Sequence, residues 1–187
     1  MVEGRQKLLM GAALGAVATI AVAAVAGMVV AYSGAVNPAA TEEHASLTRW
    51  ALDTSFHSGV RSRAGAVDPP PAFTPAMIEA GARGYKAMCQ HCHSGPGAER
   101  ETWAAAMRPR PPHLAEAAAE WSPEEVFWIA KHGVRSTGMP AFGPSHDDAT
   151  LWEITAFVKA LPGMSPERYR GLGGPSQDGG DGDGHGH

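Results

Sequence analysis

The run Cys89-Gln90-His91-Cys92-His93 constrains this chain more than any other feature, because it places both cysteines of a 187-residue sequence within one helical turn. Side chains three residues apart on a helix project from one face, so the two thiols point the same way. Followed directly by histidine, the spacing C-x-x-C-H is that of covalent haem attachment. Each thiol adds to one porphyrin vinyl group, and His93 supplies the proximal iron ligand, its second ring nitrogen fixed by an outer acceptor. Two rivals use the same residues. A zinc site would recruit His113 or His132, but no second Cys-x-x-Cys or His-x-x-x-His completes a tetrahedron. A thioredoxin-like dithiol would need a βαβ pattern around the motif, and none is present.

A haem iron needs a second axial ligand or a deliberate vacancy. Downstream lies Gly138-Met139-Pro140-Ala141-Phe142-Gly143, where a methionine bracketed by glycine and proline sits on a loop. Thioether ligation raises the iron's potential and fills the site, which suits electron transfer and opposes oxygen chemistry. Met139 is therefore the expected sixth ligand, whereas Met77, Met88, Met107 and Met164 lack such a setting and read as packing or surface residues.

Together, Cys89-x-x-Cys92-His93, Met139-Pro140 and a closing helix with Leu151-Trp152 and Phe157 resemble a class I cytochrome c of the membrane-tethered, single-haem kind. The pattern is also similar to the haem-c subunits of bacterial haem-copper oxidases, and it covers Pro75 to Leu161. The resemblance implies an all-α cytochrome c fold around one covalently attached haem c. It also implies that the first and last helices of that domain cross at small and aromatic residues, Gly81, Gly84 and Tyr85 meeting Trp152, Ala156 and Phe157. Pro96 resembles the family proline whose carbonyl accepts a hydrogen bond from the proximal histidine.

The residues themselves read as helices. Thr74-Pro75 is an N-cap followed by a proline at the first helical position, and Met77, Ile78, Gly81, Tyr85 and Met88 recur near helical spacing up to Cys89. Ser122-Pro123-Glu124-Glu125 is a capping box, with an apolar stripe Val126, Phe127, Ile129, Ala130 that stops at Gly133. Asp147 or Asp148 caps a last helix that ends at Pro162-Gly163. Between them, Pro109-Arg110-Pro111-Pro112-His113 is held extended by its prolines. Arg108 or Arg110 there can fork onto a haem propionate, the alternative being ordinary surface arginines.

Upstream, Leu8 to Tyr32 is apolar and uncharged, long enough at about 1.5 Å per residue to cross a hydrocarbon core of about 30 Å. Arg5 and Lys7 precede it and Glu42 and Glu43 follow, so the positive-inside rule keeps the N-terminus in the cytoplasm. Ser33-Gly34-Ala35 resembles a signal-peptidase site, but the apolar run exceeds the usual signal-peptide core, and a retained anchor is the expectation. Gly11, Gly15, Thr19, Ala23 and Gly27 form a small-residue stripe that suits a membrane-helix partner, unless it merely reflects an Ala- and Gly-rich composition. Residues 41–64 show an incomplete amphipathic pattern, read as a helix on the haem domain or the membrane surface, with His44 and His57 solvated. The Gly/Asp/His-rich tail, with His185 and His187, is expected to be disordered.

The expected organisation is residues 1–35 as N-terminus and anchor, 36–73 as a juxtamembrane helix and Pro-rich linker, 74–166 as the haem domain, and 167–187 as the tail. A net charge of -4 and a pI of about 6.1 suggest no nucleic-acid partner. The expected function is a single-pass inner-membrane cytochrome with its haem domain in the periplasm. It would be a non-enzymatic carrier of single electrons between a donor and an acceptor, such as those of a respiratory chain. The alternatives are an electron-entry subunit of a larger membrane oxidase or dehydrogenase, and a haem-based sensor.

Overall fold

A computed structural model describes residues 2–174. The chain divides into two compact units, Met1–Ala40 and Thr41–His187. The first is built on α1 (Val2–Tyr32), which no proline interrupts and which carries its charges before Leu8. Its stretch Glu3–Tyr32, 30 residues, is long and apolar enough to cross a membrane and has no side chain buried in protein. Such a helix is about 45 Å long, beyond the hydrocarbon thickness it would need to span. Thr19 returns its hydroxyl to the Gly15 carbonyl at 2.9 Å, so the one polar side chain of the small-residue stripe is satisfied within the helix.

The second unit is helical throughout: α2 (Ser46–Ala64), α3 (Pro75–Met88), α4 (Gln90–His93), α5 (Thr102–Ala105), α6 (Leu114–Ala117) running into a 3-10 turn, α7 (Pro123–His132), α8 (Asp148–Ala160) and α9 (Pro166–Gly171). Among the described residues there is no strand, only an isolated bridge between Gly95 and Ala98. The helices start where side chains satisfy their first backbone donors. Thr74 accepts from Met77 N–H, Asp147 from Thr150 N–H, and Ser122 and Glu125 exchange both bonds of a capping box.

α8 is the buried spine: Leu151, Trp152, Ile154, Thr155, Ala156, Phe157 and Val158 are all inside. α3 crosses it with Gly81, Ala82 and Tyr85 buried at the contact. The approach is backbone on backbone, since a Cβ on Gly81 would lie 1.9 Å from the Glu153 carbonyl oxygen. One turn on, Gly84 packs on the Ile154 side chain and Tyr85 on Phe157, ring centroids 5.2 Å apart. Trp152 also engages α7: it stacks on Phe127 with ring centroids 4.2 Å apart, and its ring lies 6.3 Å from that of Phe73, just before α3.

Two expectations need correction. The tail does not begin at residue 167: α9 starts on the cap Ser165 with Pro166 at its first position, and Tyr169 is fully buried against Phe157 and Tyr85. Beyond it, the Gly173 N–H donates to Glu79, and Lys86 donates to the Leu172 carbonyl, which ties this segment to α3. Of the expected disordered tail, 175–187, with His185 and His187, lies outside the described residues. Second, His57 is only partly solvated. It is half-buried and stacked on Trp121, centroids 4.6 Å apart and planes 14° apart, where α2 docks on α7 through Val60, Ala64 and the Arg61–Glu125 pair.

In an exposed helix Gly→Ala stabilises by about 1 kcal/mol through propensity. At Gly81 the new methyl would strike backbone, and overpacking of that kind costs about 1–3 kcal/mol. Gly81→Ala is therefore expected to lower stability in chemical denaturation despite its better propensity. Gly84→Ala meets only the movable Ile154 side chain and is expected to cost less.

Candidate haem-binding site

Cys89 lies between α3 and α4, as C-cap of the first and N-cap of the second. Its N–H donates to Tyr85 O at 2.8 Å, and its carbonyl accepts from Cys92 N–H at 3.1 Å and His93 N–H at 2.9 Å. Both thiols and His93 thus belong to one hydrogen-bonded turn carried by the α3 backbone. Burial, reinforced by the neighbouring Cys92, pushes the Cys89 thiol up to about 12. That is the opposite of the electropositive setting that ionises a redox dithiol.

The turn is locked from behind. Ser94 takes a left-handed conformation, φ 58°, and its carbonyl accepts from the buried Tyr85 hydroxyl at 2.7 Å. Gly95 leaves room for the Tyr169 ring, since a Cβ there would lie 2.3 Å from that ring, and the Tyr169 hydroxyl donates to Gln90 at 2.6 Å. α9, missed in the sequence, therefore supports the Cys89–His93 turn directly.

His93 Nδ1 donates to the Pro112 carbonyl at 2.9 Å, which fixes the tautomer and leaves Nε2 as the bare nitrogen. The acceptor is Pro112 and not Pro96. The Pro111–Pro112 stretch lies beside the imidazole, whereas Pro96 is in the tight turn bridged by Gly95 and Ala98. Burial lowers the His93 pKa. The Pro112 bond opposes this, while Arg100 and His113 push it further down, so the ring is held in its neutral, ligating form. His113 is engaged by the Ser94 hydroxyl, and His132 lies against Trp128 with centroids 4.8 Å apart. Among the described residues, no three His, Cys, Asp or Glu side chains are grouped to hold a metal ion.

The arginines fall differently from their order in the sequence. Arg108 and Arg110 are both exposed, and Arg108 bonds the Met107 carbonyl at 2.9 Å. The half-buried guanidinium beside the proximal turn is Arg100, which donates through Nη1 to the Pro111 carbonyl; its Nη2 is buried without a partner among the described residues. No spacing rule singles out Arg100, because the loop that carries it meets the proline segment only in three dimensions.

Met139 is half-buried on a loop stitched to the end of α7. Its N–H donates to the Thr137 hydroxyl at 3.1 Å and its carbonyl accepts from Val134 N–H at 3.2 Å. Phe142 and Gly143 N–H donate to the carbonyls of Ala130 and Lys131. Gly133, φ 66°, makes the close approach possible, since a Cβ there would stand 2.7–2.8 Å from backbone atoms of Met139, Pro140 and Ala141. The Met107 methyl group packs on Gly138, so the segment after α5 touches this same loop.

The donor set fits a haem: two thiols in one turn, a neutral imidazole with a bare Nε2, a thioether on a pinned loop, and a buried cationic nitrogen that no acceptor among the described residues neutralises. The matching family model is that of cytochrome c oxidase, cbb3-type, subunit III, over residues 76–158. A comparison with curated proteins finds no match. Among solved structures, a chain of the reducing HAO-like protein complex of Kuenenia stuttgartiensis is similar at 23% identity and a TM-score of 0.41. The similarity covers 52% of this chain and 53% of that one, so the chain spans about half the length of this neighbour. Residues 76–158, which run from the first turn of α3 to the last turn of α8 and enclose the C-x-x-C-H turn, are a c-type cytochrome domain of all-α fold.

Proposed function

We propose that this protein is a membrane-anchored monohaem cytochrome c that passes single electrons between redox proteins on the periplasmic side. The observation that carries the reading is the proximal turn: Cys89 and Cys92 on one helical turn, followed by His93 with its Nδ1 bonded to the Pro112 carbonyl. Cys89 and Cys92 would hold haem c by two thioethers, with Nε2 of His93 and the Met139 sulfur as axial ligands. When bound, the haem supplies a reversible one-electron couple. The chain's part is to keep the ligands still. The Pro112 carbonyl orients His93, Gly133 and Thr137 pin the Met139 loop, and the small change in geometry between oxidation states keeps reorganisation low. Pro140, Ala141 and the half-buried Phe142 offer a small apolar face that would suit a brief redox encounter.

The anchor reading rests on the length and composition of α1, with Arg5 and Lys7 on one side and Glu42 and Glu43 on the other. We assign residues 1–35 to the N-terminus and anchor, 36–73 to the α2 connection, and 74–174 to the haem domain, extended past residue 166 to include α9. A second reading, an electron-entry subunit of a larger membrane complex, is favoured by the oxidase subunit named in the family match and by the Gly11, Gly15, Thr19, Ala23, Gly27 stripe on α1. Detergent extraction followed by native mass measurement separates the two, because a free carrier does not co-purify with a catalytic subunit.

Cys89→Ala/Cys92→Ala is expected to abolish haem staining on a denaturing gel, each thiol supplying one of the two bonds. Retained stain in the double variant would end the covalent reading. Protease added to spheroplasts is expected to release the haem domain and leave a small membrane-bound stub. Intact protein in the soluble extract would contradict the anchor.

Met139→Ala is expected to lower the reduction potential and admit carbon monoxide, which the wild type resists, since thioether ligation favours the ferrous state. Gly133→Ala, which displaces the same loop without touching the sulfur, is expected to reproduce part of that phenotype. Fast carbon monoxide binding by the wild type, unchanged in Met139→Ala, would overturn the His/Met assignment.

A further inference from the structure

The buried guanidinium of Arg100 has one arm in use and one without a partner. Nη1 donates to the Pro111 carbonyl, and Nη2 is shielded from solvent with no acceptor among the described residues. The other cations of the domain that are not fully exposed are answered: Lys86 by the Leu172 carbonyl, Lys131 by Asp148, and Lys159 by the carbonyls of Ala118 and Trp121. A buried charged nitrogen without a partner is unfavourable, and the planar fork of a guanidinium matches a carboxylate. Among the described residues no carboxylate pairs with Arg100; Glu101, its neighbour in sequence, is exposed and faces His91. The unused arm therefore suits an anionic group from outside the described residues. It also lies near the proximal ligand, because Arg100 grips Pro111 while the next residue, Pro112, accepts from His93 Nδ1.

We propose that Arg100 forks between the Pro111 carbonyl and a carboxylate of the prosthetic group, a haem propionate, and thereby ties that propionate to the carbonyl that orients His93. The proposal rests on the haem reading above and replaces Arg108 and Arg110 as the propionate contact. Arg100 is a positioning residue: it holds the proline segment on the imidazole and supplies positive charge close to the iron couple. Removing that charge favours the ferric state, whose net charge is one unit higher.

The test uses the full-length holoprotein in detergent. Arg100→Gln, Arg100→Lys, Arg108→Gln and Arg110→Gln are compared with the wild type by haem stain, by optical spectrum and by redox titration. Arg100→Gln is expected to keep covalent haem and to shift the ferrous:ferric ratio at fixed ambient potential about tenfold toward ferric, the size expected for one partly screened charge at short range. Arg100→Lys keeps the charge without the fork and is expected to shift it less, while Arg108→Gln and Arg110→Gln stay within about twofold of wild type. A haem-loaded Arg100→Gln protein with unchanged potential, or an equal shift in Arg108→Gln or Arg110→Gln, overturns the proposal. Should Arg100→Gln fail to accumulate, nuclear Overhauser contacts between the Arg100 guanidinium protons and the propionate methylenes in the ferrous wild type decide the matter, and their absence overturns it. A wild type that carries no haem would instead refute the haem reading itself.

Discussion

The helical unit depends on one contact between main chains, Gly81 of α3 against the Glu153 carbonyl of α8. Only a residue without a Cβ allows two helix backbones to come so near. That approach lets Tyr85 reach Phe157, and it places the end of α3, and so the Cys89–His93 turn, at a defined position on the core. Tyr85 then carries the geometry onward: its ring is fully buried, its hydroxyl holds the Ser94 carbonyl, and α9 closes over it with Tyr169. A change at Gly81 is thus felt at the site through rigid, close-packed neighbours.

Two proline-bearing segments carry other residues of the candidate site, with different duties. Pro109–Pro112 offers carbonyls, Pro111 to Arg100 and Pro112 to His93. Val134–Gly143 is folded back onto the end of α7 and presents Met139 from a loop whose backbone donors are largely occupied. α2 braces this arrangement from outside by docking on α7 through Val60, Ala64 and the His57–Trp121 stack. On the proposed function, rigidity of both segments would suit a one-electron couple, because ligands that do not move contribute little to reorganisation.

Much of this was legible in the chain because it is local. Caps at Thr74, Ser122 and Asp147 act within three or four residues, the stop at Gly133 needs only a positive φ, and the Leu8–Tyr32 run carries its length and apolarity in composition alone. The same local rules apply to Ser165-Pro166, where α9 begins, but a short helix in a polar stretch has no apolar stripe to announce it. Its one buried aromatic, Tyr169, matters only because α3 and α8 leave a site for it.

What remained hidden is pairwise and long-range. The family resemblance pointed to Pro96 as the acceptor for His93, and the path of the chain after Cys92 selects Pro112 instead. Arg100, Arg108 and Arg110 carry the same charge in one stretch, yet burial distinguishes Arg100 and only the packed domain creates burial. That Trp152 stacks on Phe127 likewise depends on how α7 and α8 pack, which no local spacing gives. The sequence by itself determined the main helices, the C-x-x-C-H turn and the long apolar helix α1, since each follows from interactions a few residues long. Which carbonyl, which cation and which ring complete the site was decided by tertiary structure, because those partners meet only when distant segments are brought together at the Gly81 crossing.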